Sequence, residues 1–191
     1  MQNFLEKRIS SISIAIPNSI SLLISQDSLI FNFKCRIVAF KIYDKYFKVI
    51  SFIENKSLLL ISINKTSNKD CSYLKQLQGR IFCLSEGIQY LYTKRLSLVG
   101  IGFRCWLTRK NNDLMLILKV GFSKDIVVKI PKNILIFVLK NTEILLRGID
   151  KHFVNSFAFF IKSQKPPEPY KLKGIQVQNS KIFRAKKLTK H

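Results

Sequence analysis

The chain has 191 residues, and 47% of them are hydrophobic, so it can bury a core and is not a disordered basic protein. Its 33 Lys and Arg residues face 11 Asp and Glu residues, which gives a formal net charge of +22. An excess of this size attracts polyanions, and the candidate partners are nucleic acid, an acidic membrane surface or an acidic protein.

The longest uncharged run, residues 9–26, does not predict a membrane span. Pro17, Asn18 and repeated serines interrupt it, and part of it alternates apolar and polar residues as a strand does. The N-terminus lacks a secretory signal and the Arg-rich, amphipathic character of a transit peptide. We therefore expect a chain that acts where it is made or has already lost its targeting segment.

The first half predicts short strands followed by a helix. Runs of apolar residues, alternating in places and separated by turn residues, predict six strands. These are Ile12–Ile16, Ile20–Ile24, Leu29–Phe33, Ile37–Phe40, Phe47–Ile53 and Leu58–Ile63. Apolar residues at helical spacing then follow from Leu74 to Ile88 and predict an amphipathic helix. Asp70 is its predicted N-cap, and Gly87 is the glycine predicted to end it.

The second half repeats this plan. The predicted strands are Leu96–Thr108, Leu114–Val120, Ile126–Ile130, Ile134–Leu139 and Glu143–Arg147. Gly100 and Gly102 form a G-x-G without the third glycine and following helix of a nucleotide-binding loop, so we expect a bulge or close backbone approach in a strand. A second helix is predicted from Asp150 to Lys165, because Pro166 disfavours the helical conformation of the residue before it.

The repeated order predicts an internal duplication. Ile16-Pro17-x-x-Ile20 lines up with Ile130-Pro131-x-x-Ile134, and this alignment implies an extra strand pair before the first helix. The alternative is coincidence, since strand and helix periods force the apolar positions. The predicted fold class is α+β, with two tandem small domains that each pack one helix on an antiparallel sheet. The predicted domains are residues 1–90 and 91–178, followed by a basic tail over residues 179–191.

Nothing in the sequence predicts catalysis, a metal or a cofactor. The carboxylates are scattered, no C-x-x-C pair occurs, and neither histidine has a visible triad partner. The residues concerned are Cys35, Cys71, Cys83, Cys105, His152 and His191. We expect the cysteines to be reduced, small, buried hydrophobic residues, and we expect a protein that is not an enzyme and has no small-molecule substrate.

Three of the five prolines lie in one basic stretch, Lys165-Pro-Pro-Glu-Pro-Tyr-Lys-Leu-Lys-Gly174, which we call the strap. Proline fixes φ, so the strap is predicted to be stiff and exposed. Between Lys162 and the C-terminus, nine cations stand against Glu168 alone. This one-sided charge favours phosphate binding over a solvated loop or linker, and the lack of an aromatic-rich sheet motif favours folded RNA over single strands. The candidate RNA-binding residues are Lys162, Lys165, Pro166, Pro167, Tyr170, Lys171, Lys173, Gly174, Lys181, Arg184, Lys186 and Lys187.

Four motifs carry a family resemblance. Four segments resemble motifs that occur in the same order in ribosomal large-subunit protein six. They are Leu98–Arg104 (Leu-Val-Gly-Ile-Gly-Phe-Arg), Gly121–Ser123 (Gly-Phe-Ser), Gly148–Lys151 (Gly-Ile-Asp-Lys) and the strap. The first half resembles this family only in pattern. The resemblance implies two tandem α+β domains and a structural role in the large ribosomal subunit. Its implied partners are rRNA near the sarcin–ricin loop, where translation factors dock, and neighbouring ribosomal proteins.

The sequence departs from the family pattern at three places. Leu172 stands where the family usually has glycine, and Lys162 and Lys165 stand where arginines are typical. Phe33–Arg36 replaces a Gly-Pro-Lys-Gly turn. The excess of Ile, Phe, Lys and Asn is typical of AT-rich coding, which favours a mitochondrial matrix ribosome, with a plastid or bacterial cytoplasm as alternatives. The rival function is a free-standing basic module that binds an acidic membrane surface or an acidic protein.

Overall fold

The computed structural model describes most of the chain. The residues outside its description are 1–9, 18, 25–27, 35, 42–46, 54–57, 64–67, 111–112 and 179–191. The chain divides into two compact units, Met1–Tyr90 and Leu91–His191.

The first unit contains six strands and one helix. They are β1 (Ser10–Ala15), β2 (Ser21–Ile24), β3 (Ser28–Phe33), β4 (Arg36–Lys41), β5 (Phe47–Ile53), β6 (Leu58–Ile63) and α1 (Asn68–Gln89). The strands form two antiparallel sheets, in the orders β1-β6-β5 and β2-β3-β4. Alternate strand residues such as Leu29 and Phe31 are buried, as are Leu74, Leu77 and Ile81 of α1. The buried residues of the strands and those of the helix therefore pack together in one core.

The second unit has the same elements and one more strand. They are β7 (Tyr92–Val99), β8 (Arg104–Lys110), β9 (Asp113–Lys119), β10 (Ile126–Lys129), β11 (Ile134–Lys140), β12 (Glu143–Gly148), α2 (Lys151–Gln164) and β13 (Gly174–Val177). The antiparallel sheets have the orders β11-β12-β7-β13 and β10-β9-β8. The core lies between these sheets and the buried face of α2, and includes Leu96, Leu118, Ile144 and Ile161.

The two units share one topology. In each unit the first strand pairs with the sixth, strands two to four form a meander of their own, the fifth strand pairs with the sixth, and the helix follows. The predicted α+β fold of duplicated, tandem sheet-and-helix units is confirmed. Each unit divides its strands between two sheets, and β13 is the addition of the second unit.

The alignment on which the duplication was predicted is wrong. Residues 16–20 connect β1 to β2, whereas residues 130–134 connect β10 to β11, so the two segments are not equivalent in the topology. Their likeness is a shared local turn: the N–H of Ile20 donates to the carbonyl of Pro17 at 3.0 Å, and that of Ile134 donates to Pro131 at 3.2 Å. The extra strand pair before the first helix is also wrong, because six described strands precede the helix in each unit.

The predicted strand Leu96–Thr108 is two strands. β7 ends at Val99, and β8 begins at Arg104 in the other sheet of the unit. Between them, Gly102 has a φ of 77° in the left-handed region, and the N–H of Phe103 donates to the carbonyl of Gly100 at 3.3 Å. The glycines therefore make a turn that transfers the chain between sheets, and not a bulge within a strand.

Helix α1 is longer than predicted at both ends. It begins at Asn68, before the predicted cap Asp70, and it passes Gly87 to end at Gln89. Arg36 compensates for the missing glycine cap, because its Nη1 donates to the carbonyl of Ile88 at 2.7 Å and to that of Gln89 at 3.4 Å. A cation from the segment that replaces the family's Gly-Pro-Lys-Gly turn thus completes the end of a helix.

The cysteine prediction is confirmed at Cys105, which is reduced and buried. Its thiol donates to the carbonyl of Asn141 at 3.1 Å, and burial raises the pKa of this thiol to about 11. Cys83 is reduced and half-buried. Cys35 and the side chain of Cys71 lie outside the description. Among the described residues, no helix has the length and apolar character needed to cross a membrane.

Candidate nucleic-acid interface

Helix α2 leads directly into the strap. The Asp150 carboxylate caps the helix by accepting from the backbone N–H of His152 at 2.9 Å and that of Phe153 at 3.4 Å. Residues on its buried face pack toward β7, β12 and β13. The helix ends at Gln164, and Lys165 has left the helical conformation, with φ −148° and ψ 85°. The predicted stop before Pro166 is therefore confirmed.

Backbone hydrogen bonds close the strap into a loop. At its base the N–H of Ile175 donates to the carbonyl of Lys165 at 2.8 Å. Farther out, the N–H of Glu168 donates to the carbonyl of Lys173 at 2.8 Å, and the N–H of Leu172 donates back to Glu168 at 2.8 Å. The strap is thus held by its own ladder as well as by its prolines, and is not an open linker.

Two residues of the strap have positive φ. Gly174 has a φ of 144°, and a Cβ there would lie 2.6 Å from the Pro166 carbonyl oxygen and 2.6 Å from the Pro167 Cα. Leu172 has a φ of 58°, in the left-handed region that glycine favours. This conformation is a physical reason for the glycine that the family usually has there. In this chain the Leu172 carbonyl accepts from Gln176 Nε2 at 2.7 Å.

The strap presents its cations to solvent. Lys171 and Lys173 are exposed, and Tyr170 is 48% exposed. Within the described part of the chain, the ion pairs are Lys129–Asp113 and Lys140–Glu143, so no strap lysine has a carboxylate partner. The ammonium groups of Lys171 and Lys173 are therefore available to an external anion.

The other predicted site residues differ in accessibility. Pro166 is exposed, Lys162, Lys165 and Pro167 are half-buried, and Gly174 is buried. The structure therefore brings the predicted residues from Lys162 to Gly174 together on one loop and the helix end before it. The tail residues lie outside the described part of the chain: Lys181, Arg184, Lys186 and Lys187.

A cleft of about 440 Å³ lies between the strap and two turns of the same unit. Its lining residues are Phe103, Val120, Gly121, Phe122, Gln164, Lys165, Pro166, Glu168 and Lys173. The Lys165 ammonium group lies over the Phe122 ring, 4.5 Å from its centroid, which fixes the lysine by a cation–π contact. Sequence reasoning missed Phe103 and Phe122 as site residues, although both stand in motifs that carry the family resemblance.

The cleft combines positive charge with apolar walls. Two lysines of the strap, Lys165 and Lys173, line it with one carboxylate, Glu168. The glycine turns bring Phe103 and Phe122 to the same cleft from segments that are far from the strap in sequence. Among the described residues, no cluster of three or more His, Cys, Asp or Glu side chains could hold a metal ion. The arrangement can bind an anion and pack a ring or sugar beside it.

Comparison with known proteins points to one family. Residues 109–178 match the family model described as ribosomal protein L6. The large ribosomal subunit protein uL6 of Karelsulcia muelleri is 31% identical over 181 residues, which is 93% of this chain and 95% of that protein. The chain belongs to the ribosomal protein L6 family. The resemblance predicted from the sequence is therefore confirmed.

Other members of the L6 family match shorter parts of the chain. The uL6 protein of Rhodopseudomonas palustris is 45% identical over 107 residues, which is 56% of this chain and 58% of that protein. That of Mycoplasmoides gallisepticum is 38% identical over 136 residues, 69% of each chain. L6 proteins are structural and non-enzymatic, so the prediction that this chain is not an enzyme is confirmed. The matched span includes the strap and the turn at Gly121.

Proposed function

We propose that this L6 protein binds rRNA of the large ribosomal subunit through the strap and the adjoining cleft, near the sarcin–ricin loop where translation factors dock. Family membership makes the chain a structural constituent of the large subunit. The observation that carries the proposal is the exposure of Lys171 and Lys173, without ion-pair partners among the described residues, on a loop closed by its own hydrogen bonds.

The chemistry of the strap suits folded RNA. Each lysine that neutralises a phosphate releases counterions, and this release supplies affinity without reading sequence. The loop is already ordered by its prolines and backbone hydrogen bonds, so little conformational entropy is lost on docking. Tyr170 is positioned beside these lysines to pack against sugar, base or a protein surface. The basic tail, with Lys181, Arg184, Lys186 and Lys187, adds charge to the same interface in this proposal.

The compartment and the protein neighbours are also parts of the proposal. The composition typical of AT-rich coding supports a mitochondrial ribosome. The three relatives named are bacterial, which supports the alternative of a bacterial cytoplasm. The further partners in this proposal are neighbouring proteins of the large subunit.

Sedimentation tests the proposal against a free-standing basic module that binds membrane or acidic protein. In lysate fractionated at a salt concentration that preserves subunits, the chain is expected to migrate with large subunits. It should leave them when high salt screens its attraction to the phosphates. Recovery only with membranes or at the top of the gradient would overturn the proposal and favour the rival.

A further inference from the structure

The sheet β10-β9-β8 has a solvent face whose centre is apolar. Its register places Trp106, Ile117 and Val127 side by side across the three strands. Trp106 is 37% exposed and Val127 is 56% exposed, while the alternating residues Cys105 and Leu118 are buried in the core behind them. We call this surface, with the neighbouring Arg104 and Lys119, the tryptophan face.

Two cations stand directly opposite each other beside this row. Arg104 pairs in register with Lys119, so both side chains lie on the same side of the sheet as Trp106. Both are exposed, and neither has an ion pair within the described residues. Like charges directly opposite on neighbouring strands destabilise a sheet. An anion bound between Arg104 and Lys119 would remove this repulsion.

The other end of the face is different. Lys129 forms an ion pair with Asp113, so its charge is already offset. Lys110, in register with Asp113, keeps its charge at that end, whereas the Arg104–Lys119 end has two facing cations and no ion pair within the described residues. Arg104 and Trp106 are two residues apart on one strand, which separates them by about 7 Å. One nucleotide is long enough to reach both.

We propose that the tryptophan face binds an unpaired stretch of RNA, with a base stacked on Trp106 and its phosphate between Arg104 and Lys119. Aromatic side chains flanked by cations on an exposed sheet bind single strands in this way, because every base has a face that stacks. This site is distinct from the strap, which is proposed to bind folded RNA. Its positive charge selects an anionic partner, and the exposed indole favours a nucleobase over an acidic peptide.

The chain offers a direct probe of this site, because Trp106 is its only tryptophan. Full-length protein titrated with a short single-stranded oligoadenylate is expected to show saturable quenching of tryptophan fluorescence. A blunt RNA duplex of the same length should quench much less, because its bases are not free to stack on a side chain. The Lys171→Ala/Lys173→Ala variant should keep the quenching, which separates this proposal from the function of the strap.

Variants then test the two parts of the site by fluorescence anisotropy of labelled oligoadenylate. Trp106→Ala should weaken binding about tenfold, whereas Trp106→Tyr should retain most of the affinity because it keeps an aromatic ring. Arg104→Gln/Lys119→Gln should reduce the slope of log K against log salt by about 0.7 for each phosphate that the protein no longer neutralises. Phe159→Ala removes an exposed aromatic ring on α2, which packs against strands of the unit's other sheet, and should change nothing.

Three results would overturn the proposal. The first is oligoadenylate binding without quenching, which would place the RNA elsewhere. The second is unchanged affinity for both the Trp106→Ala and the Trp106→Tyr variants. The third is quenching by polyglutamate at least as strong as that by oligoadenylate, which would identify an acidic protein as the partner of this face.

Discussion

Replacing Gly174 by alanine is expected to lower the free energy of unfolding of the protein by about 3 kcal/mol. The new Cβ would lie 2.6 Å from the Pro166 carbonyl oxygen and from the Pro167 Cα. Both are backbone atoms of a proline pair and cannot turn aside as a flexible side chain can. The φ of 144° adds strain, because side chains other than glycine rarely adopt it. Chemical denaturation followed by circular dichroism measures the change.

Gly79→Ala is the matched control. Gly79 lies inside helix α1, and a Cβ there would meet nothing within 4 Å. This substitution should stabilise the protein by about 0.5–1 kcal/mol, because alanine restricts the unfolded chain and favours helix. If Gly174→Ala did not lower the free energy of unfolding, Gly174 would not lie as close to Pro166 and Pro167 as the structure shows. The base of the strap would then not be rigid.

The Lys171→Ala/Lys173→Ala variant should bind its rRNA fragment about tenfold more weakly while unfolding at the same denaturant concentration. The two side chains are exposed and make no ion pair within the described residues, so they contribute little to folding. The slope of log K against log salt should shrink by about 0.7–0.9 for each phosphate that is left without its lysine. Filter binding across a salt series, beside a denaturation curve, measures both quantities.

Lys94→Ala/Lys132→Ala removes the same charge from the far end of the unit. Gly174, at the end of the strap, pairs with Val99 at one end of β7. Lys94 lies near the other end of β7, and Lys132 lies just before β11 at that same end of the sheet. This control should keep its affinity for rRNA apart from a small loss of long-range attraction. Equal losses in the two double variants would mean that overall charge, and not the strap, accounts for binding. Unchanged binding by the strap variant would make the basic tail after Lys181 the next candidate.

Most helices and strands could be predicted from the sequence, because the spacing of their apolar residues depends only on neighbouring positions in the chain. Leu29, Phe31 and Phe33 alternate with polar or less buried neighbours, and Leu74, Leu77 and Ile81 recur at helical spacing, so strand and helix follow from residue order alone. The end of α2 was predicted because Pro166 acts on the residue directly before it. The exposed lysines of the strap followed from the same local chemistry, whereas the backbone hydrogen bonds that close the strap into a loop did not.

The errors arose where distant residues decide the outcome. Apolar side chains alternate with Gly100 and Gly102 through the turn between β7 and β8. The turn therefore has the alternating pattern of a continuous strand. The turns at Pro17 and Pro131 share a hydrogen bond but not a place in the topology, and period-2 patterns match at many offsets. At the end of α1, the carbonyl of Ile88 accepts from Arg36, which is 52 residues away in the sequence.

Parts of the site were also beyond the reach of sequence reasoning. Phe122 becomes a wall of the cleft only because folding places Lys165 over its ring. The row of Trp106, Ile117 and Val127 spans three strands and exists only through their register. Pattern reasoning along one strand detects neither arrangement, which is why no aromatic sheet motif was expected.

Ultraviolet cross-linking of purified large subunits, followed by mapping of the joined peptide and nucleotide, tests whether the strap contacts rRNA in the assembled subunit. We expect peptides containing Tyr170, Lys171 or Lys173 to be joined to rRNA beside the sarcin–ricin loop. A strap that cross-links only to protein, with all rRNA adducts elsewhere on the chain, would contradict this expectation.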